Sequence, residues 1–382
     1  MLNRWLVLTL VATGCGCPPG AHDCVDEDSS PPVYHGEAFH LRAVGPAGDH
    51  FVALVGHTYY DEDPLRFQTD LVELDRSGAL LSTTELSEPL VVNAHAVAGD
   101  GLGSTVVVGE HVGWFANGAS IAELALDGDA AVTFAGGSYW LAIASKPRQV
   151  LRYDTSGNQL EMIVVPDEQP EPGVASAPSL AIDALEDGIA VGWTMTYSDN
   201  THVHMVGRLG AATVRDIELG RMSGTTPRWS TNVAMRAGTI AMLFATAEGA
   251  QLTRLAPDGT LATTNVQLPQ PCMDLVATVT GYIATCQQVF VFFDETGQMQ
   301  GTAGRESVTR LAATRGAVLA VQNGGDFSLS TVIFDDAMSP MQIFEGVTVE
   351  TTDSGCNAGG SSSTWLCVLV LGFLRRRRRV RP

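Results

Sequence analysis

Between residues 36 and 350 the chain alternates short apolar runs with turns, and no stretch of any length carries the 3.6-residue period of an amphipathic helix. Ser179–Trp193, Ser230–Phe244, Cys272–Cys286 and Val308–Val321 each read as an apolar strand, a Gly-bearing turn and a second apolar strand. Each such hairpin is followed by a third run that ends in an acidic or Gly turn, and then by a fourth. The third-run turns are Leu74–Gly78, Phe115–Gly118, Tyr153–Gly157, Leu209–Gly210, Ala256–Gly259, Phe293–Gly297 and Phe334–Asp336, spaced on average about 43 residues apart. Four short strands recurring every 40–45 residues is the period of a β-propeller, in which each unit buries little alone and needs a neighbour on both faces. About seven units fit, over 38–87, 88–126, 127–167, 176–221, 225–269, 270–305 and 306–350. The expected fold is therefore all-β, a propeller of about seven four-stranded blades, with a tandem of β-sandwiches as the alternative. No WD or kelch signature occurs, so period alone carries this reading. The stretch 167–178 reads as a joint between two units. The Asp-x-x-Gly turns have a simple cause: the Asp carboxylate accepts amides two residues on, and Gly takes positive φ. None has the five or more acidic ligands of a calcium loop.

Composition narrows the class. The chain has 382 residues, 45% of them apolar, which excludes wholesale disorder, and 40 Gly with 18 Pro, which excludes a long helical rod. The formal charge is −20. Of 22 bases, seven lie in segments 1–14 and 356–382, which contain no acid; the remainder sets 15 bases against 42 acids, a net charge of −27. So acidic a body repels phosphate backbones, and nucleic acid is excluded as a partner.

The two ends carry localisation signals. Arg4 followed by the short apolar run Trp5–Val11 reads as an export signal, too short to span a bilayer. Ala12-Thr13-Gly14-Cys15 resembles the bacterial lipoprotein signal, which implies lipidation of Cys15; Ala12 stands where that signal usually has Leu. An ordinary signal peptide cut near Gly14 or Gly20 is the alternative. At the other end, Gly355-Cys356 and Gly359-Gly360 lead through Ser361–Thr364 into the apolar run Trp365–Leu374, closed by Arg375, Arg376, Arg377, Arg378 and Arg379. Ten helical residues rise about 15 Å, half of a hydrocarbon core of about 30 Å. The arginines act as a topology stop on the cytoplasmic side. This order of parts resembles the MYXO-CTERM sorting tail of myxobacterial surface proteins, over about 28 residues. That resemblance implies cleavage by an intramembrane sorting protease near Gly355 and Cys356 and delivery to the cell surface; a permanent C-terminal anchor is the alternative. The expected organisation is a signal peptide over 1–14, a disordered acidic tether over 15–36, the propeller over 37–350, a linker over 351–364 and the hydrophobic sorting helix with its arginine cluster over 365–382. Exported protein, held at the outer membrane or cell surface by lipid, helix or both, is the expected location.

Of seven cysteines, Cys15, Cys356 and Cys367 belong to these signals. Cys272 and Cys286 fold about position 279 and fall opposite each other across a hairpin, where cross-strand Cβ atoms come near disulfide reach. Cys17 and Cys24 could close a small loop. No Cys/His spacing suggests zinc.

Candidate chemistry is sparse. His202 and His204 lie two apart on a strand, so they share a face, but without a third ligand they read as ordinary strand histidines. The acidic, aromatic stretch Tyr59–Pro64 could take a cation or a sugar, and reads more simply as a solvated connection. Trp114, Trp140, Trp193 and Trp229 fall in or beside apolar runs and read as packing between units. No nucleophile elbow, zinc helix, phosphate loop or dinucleotide fingerprint occurs, so no catalytic residue, metal or cofactor is assigned. The expected function is a non-catalytic binding or interaction module with a protein or glycan ligand. A secreted hydrolase or lyase with its site at the central channel mouth is the alternative, because a propeller site can be assembled from scattered residues.

Overall fold

The computed structural model describes residues 33–350 apart from the short internal segments 87–92, 127, 145–147, 166–175, 186–187, 197–199, 210–213, 224–231, 247–248, 267–271, 287–288, 305–308, 315, 325 and 335–340. The two terminal signals, the Cys17 and Cys24 pair and Trp229 lie outside the described residues. Residues 35–348 form one compact unit. The described parts of the other unit lie in two short strands, Val33–His35 and Thr348–Glu350, which pair with each other.

Every element described in residues 35–348 is a strand. Five separate four-stranded sheets span 130–164, 176–223, 232–266, 272–304 and 309–344. An eight-stranded sheet is two more four-stranded meanders, 37–85 and 96–125, whose first strands are joined by one parallel pair, Ala47 with Gly99. Within each meander successive strands pair antiparallel, in the order in which they occur along the chain. Numbered in chain order, each meander packs its first strand against the first strand of the next, and the seventh packs back on the first. The result is a closed ring of sheets standing edge-on to a central axis.

The core is correspondingly divided. Among the described residues seven apolar clusters are present, and each straddles one seam between neighbouring meanders. This explains why the second strand of a meander reads as an unbroken apolar run. In Thr239–Thr246, Ile240 and Met242 face the fourth meander while Ala241 and Leu243 face the sixth. In Ala317–Asn323, Leu319 and Val321 face the first meander while Val318 and Ala320 face the sixth. Both faces of these strands are buried, so period-2 alternation vanishes there. It returns on the outermost strands; Gln159–Val164 buries Ile163 and exposes Leu160, Met162 and Val164.

The turns follow the expected chemistry. Asp75 Oδ1 accepts the amides of Ser77 (2.7 Å) and Ala79 (2.9 Å), Asp154 Oδ1 those of Ser156 (2.9 Å) and Asn158 (2.8 Å), and Asp294 Oδ1 those of Thr296 (2.8 Å) and Gln298 (3.0 Å). Gly78, Gly157 and Gly297 complete these turns at φ of +77°, +83° and +78°, where a Cβ is disfavoured. With Oδ1 of each engaged by two backbone N–H groups, these carboxylates serve as turn acceptors. The ring closes without exchange of a strand. Phe39 N–H donates to Phe327 O (2.9 Å), Leu41 N–H to Asn323 Oδ1 (3.1 Å) and Thr331 Oγ1 to Gly78 O (3.1 Å), over the apolar contact of Phe39, Phe51 and Leu74 with Leu319 and Leu329.

Candidate functional site

The inner strands Glu37–Ala47, Ala96–Gly99, Ala130–Ala135, Ser176–Leu185, Asn232–Arg236, Cys272–Ala277 and Thr309–Thr314 surround a channel of about 1000 Å³. Small and aliphatic residues dominate its wall because seven strands must converge at the narrow end of their sheets. At Gly45 a Cβ would lie 1.9 Å from the Val97 carbonyl oxygen, so only glycine fits. Set in this wall are His95, Asp129, Asp183, Asn232, Asp274 and Arg310.

Most of these polar groups stitch one meander to the next. Inner strands of neighbouring meanders do not form a continuous ladder, which leaves amides and carbonyls that need partners. Asp183 of the fourth meander accepts the Met235 amide of the fifth at 2.7 Å through Oδ2, and its own neighbour Ala184 at 2.8 Å through Oδ1. Asp274 of the sixth accepts the Leu311 amide of the seventh at 2.9 Å, with the Arg310 guanidinium 3.9 Å away. His95 Nε2 lies 3.0 Å from Ala130 O of the third meander and 3.1 Å from Asp129 Oδ1. The hydrogen bond to Asp129 raises the His95 pKa above the usual histidine value, against the opposing effect of burial. Burial pushes the Asp183 carboxyl up to about 6, and its two backbone hydrogen bonds only partly offset this.

A second polar cluster lies in the first meander, where the loop 60–65 joins strands His50–Tyr59 and Arg66–Leu74. His57 is buried, stacked against Phe39 with ring centroids 4.4 Å apart and tilted on Tyr59 at 3.9 Å. Its Nε2 lies 3.1 Å from Glu37 Oε2 and its Nδ1 3.4 Å from Asp70 Oδ2. Gln68 Nε2 donates to the buried Asp70, and Arg66 reaches Gln68 Oε1 (2.7 Å) and Glu85 Oε2 (3.3 Å) beneath the Tyr59 ring. The acidic loop flagged in the sequence is tied to this cluster's edge. Asp61 accepts Gly36 N–H at 2.9 Å and lies 3.0 Å from His35 Nδ1, and the His35 hydrogen bond holds its carboxyl below the usual range. Among the described residues, no three His, Cys, Asp or Glu side chains are placed to hold a metal ion.

Cys272 and Cys286 are joined by a disulfide with an S–S distance of 2.06 Å, across a directly paired position. The turn closes over Thr278–Gly281, half a residue beyond the symmetric midpoint, and a register shift between Cys272 and Asp274 restores the pairing. Trp114, Trp140 and Trp193 are all buried in seam clusters. His202 and His204 lie on strand Asn200–Leu209 opposite Met195 and Trp193. Cys15, Gly355, Cys356 and Arg375–Arg379 lie outside the described residues, as does the expected helix after residue 364. Sequence reasoning missed Glu37, His57, Asp70, Asp183 and Asp274. Asp183 and Asp274 interrupt apolar runs within Ser176–Leu185 and Cys272–Ala277, which does not name their partners; Glu37 opens its strand and Asp70 lies in a polar one.

No family model matches the chain, and no curated protein matches it in sequence. Solved structures do. The β-propeller domain of the Trilobed protease from Pyrococcus furiosus matches with a TM-score of 0.52 at 8% identity, over 81% of this chain and 96% of that one. The Dos1 propeller has a TM-score of 0.48 at 10% identity (81% and 86% coverage), and Kluyveromyces lactis Hsv2 has 0.44 at 8% (81% and 99%). Identities this low speak to fold alone. With the closed ring of four-stranded meanders, the first of these likenesses makes residues 35–348 an all-β β-propeller.

Proposed function

We propose that this protein is a cell-surface or outer-membrane-anchored lipoprotein whose propeller is a non-catalytic binding module, with its ligand site at the central channel. In this reading each four-stranded meander is one blade, seven blades form the ring, Cys15 carries the lipid, and a sorting protease acts near Cys356. The observation that carries the binding assignment is the state of the channel's polar groups. Asp183, Asp274 and His95 are engaged in hydrogen bonds that join one inner strand to the next, and among the described lining residues no Ser or Lys occurs and Cys272 is held in a disulfide. Such groups shape and charge a cavity rather than drive a reaction.

One observation favours the alternative, a hydrolase or lyase at the same place: Asp183 lines the channel with a pKa raised to about 6, in the range of a general acid. A single experiment separates the two. The mature chain is incubated with isolated outer-membrane envelopes, as wild type and as Ala131→Trp. Ala131 lines the channel and belongs to none of the seven apolar clusters, so the indole obstructs the cavity. Binding predicts saturable association weakened about tenfold or more by the plug, with no fragments released. Release of soluble sugar or peptide that stops with Asp183→Asn contradicts it in favour of the enzyme. Association indifferent to the plug contradicts a channel site.

A further inference from the structure

A separate pocket of about 680 Å³ opens at the seam between the sixth and seventh meanders. Its wall joins Ile283 and Phe292 of the sixth to Val318 and Phe334 of the seventh. Phe334 stands edge-on to Phe290 (centroids 4.7 Å apart) and to Phe292 (5.7 Å), so the aromatic wall is fixed in place. Phe292 and Phe334 are only partly buried. The rim comes from two turns of the sixth meander and the start of its last strand, Met299–Gly304, and carries Thr278, Thr280, Asp294 and Gln300.

The hydrogen-bonding capacity left on that rim defines the ligand. Thr278 Oγ1 accepts the amides of Gly281 (2.9 Å) and Thr280 (3.2 Å), which uses both lone pairs and leaves its O–H to donate. Asp294 Oδ1 is committed to its turn, while Oδ2 accepts only Gln300 Nε2, at 2.7 Å, among the described residues, and so keeps a free lone pair. Hydrogen bonds from its own turn keep the Asp294 carboxyl below the usual range, so it stays an ionised acceptor at neutral pH. Among the described residues that line the pocket there is no Lys, Arg or His. A phosphate, sulfate or carboxylate ligand would therefore meet the ionised Asp294 carboxylate at the rim. A wholly apolar ligand would leave the remaining Oδ2 lone pair and the Thr278 hydroxyl without partners.

We propose that this seam pocket binds a neutral saccharide. A pyranose ring presents an apolar C–H face to an aromatic wall and hydroxyls that both donate and accept at its edge. That is the combination offered by Phe292 and Phe334 below and by Thr278, Asp294 and Gln300 above. The site is distinct from the channel. It goes beyond the channel reading by adding a second site with a named ligand class, and it rests on that reading only in requiring no chemistry.

The test is saturation-transfer NMR on the mature chain with methyl glycosides of glucose, galactose, mannose and N-acetylglucosamine, followed by titration of whichever responds. The expected result is saturation of ring C–H protons in at least one glycoside. The exposed substitution Gln300→Ala should weaken that binding about tenfold, the loss of one neutral hydrogen bond to the sugar, and the channel plug Ala131→Trp should leave it unchanged. Failure of all four glycosides to take up saturation overturns the proposal. So does binding that survives Gln300→Ala, and so does binding abolished by the plug, which would move the site to the channel.

Discussion

At the scale of single residues, aspartate does two opposite things in this protein. On the exposed turns it is stabilised as an anion. Hydrogen bonds from Asn158 and Ser156 hold Asp154 below its ordinary value of 3.8, and Asp258, Asp294 and Asp326 are held low in the same way. A depressed folded-state pKa contributes stability that is present above the unfolded value and lost as the pH falls through the folded one. Asp154→Ala is therefore expected to lower the melting temperature at pH 7, and the difference from wild type should shrink steadily below about pH 3.8 in calorimetric scans. Asp183 has the reverse sign. With a folded pKa of about 6 against 3.8 unfolded, the native state holds its proton longer, so ionisation costs up to about 3 kcal/mol as the pH rises between those values. Asp183→Asn removes this slope. Urea titrations at pH 4 and pH 7 should show wild type losing stability relative to the variant by about 2–3 kcal/mol; parallel curves would mean that the Asp183 carboxyl titrates normally. The turn aspartates were readable in the sequence because their hydrogen bonds are local. Asp183 was not, because its partner Met235 is 52 residues away in the next meander.

At the scale of elements, hairpins were the most legible feature and the faces of strands the least. The pairing of Cys272 with Cys286 followed from turn symmetry, and the disulfide sits there. Its loop separates the cysteines by 14 residues. Cys272→Ser should cost about 2–4 kcal/mol under oxidising conditions, read as a drop in denaturation midpoint; an unchanged midpoint would argue that the bridge is not formed in the mature protein. The tryptophan reading held for Trp114, Trp140 and Trp193, since large apolar side chains beside apolar strands have only the seams to occupy. The polar cluster around His57 escaped notice. Its members come from four strands, and Glu37, His57, Asp70 and Glu85 stand out only once cross-strand register is known.

At the scale of the whole molecule, a recurring hairpin implied repeated meanders, and seams buried on both faces of each sheet imply a ring, because an open stack would leave two apolar faces bare. The contact of the seventh meander with the first covers those faces. The proposed terminal signals rest on a different basis, charge and hydrophobic length, and bear on transport rather than on folding. Outside segments 1–14 and 356–382 the chain carries a net charge of −27, which repels anionic surfaces.

The claim on which the functional account most depends is export with processing at both ends. Intact mass spectrometry of the protein recovered from fractionated native cells tests it most directly. The account predicts a surface or outer-membrane species that begins at a lipid-modified Cys15, ends near Cys356 and is 2 Da lighter than its reduced form for the Cys272–Cys286 bridge. An unmodified chain from Met1 to Pro382 in the cytosolic fraction would contradict it.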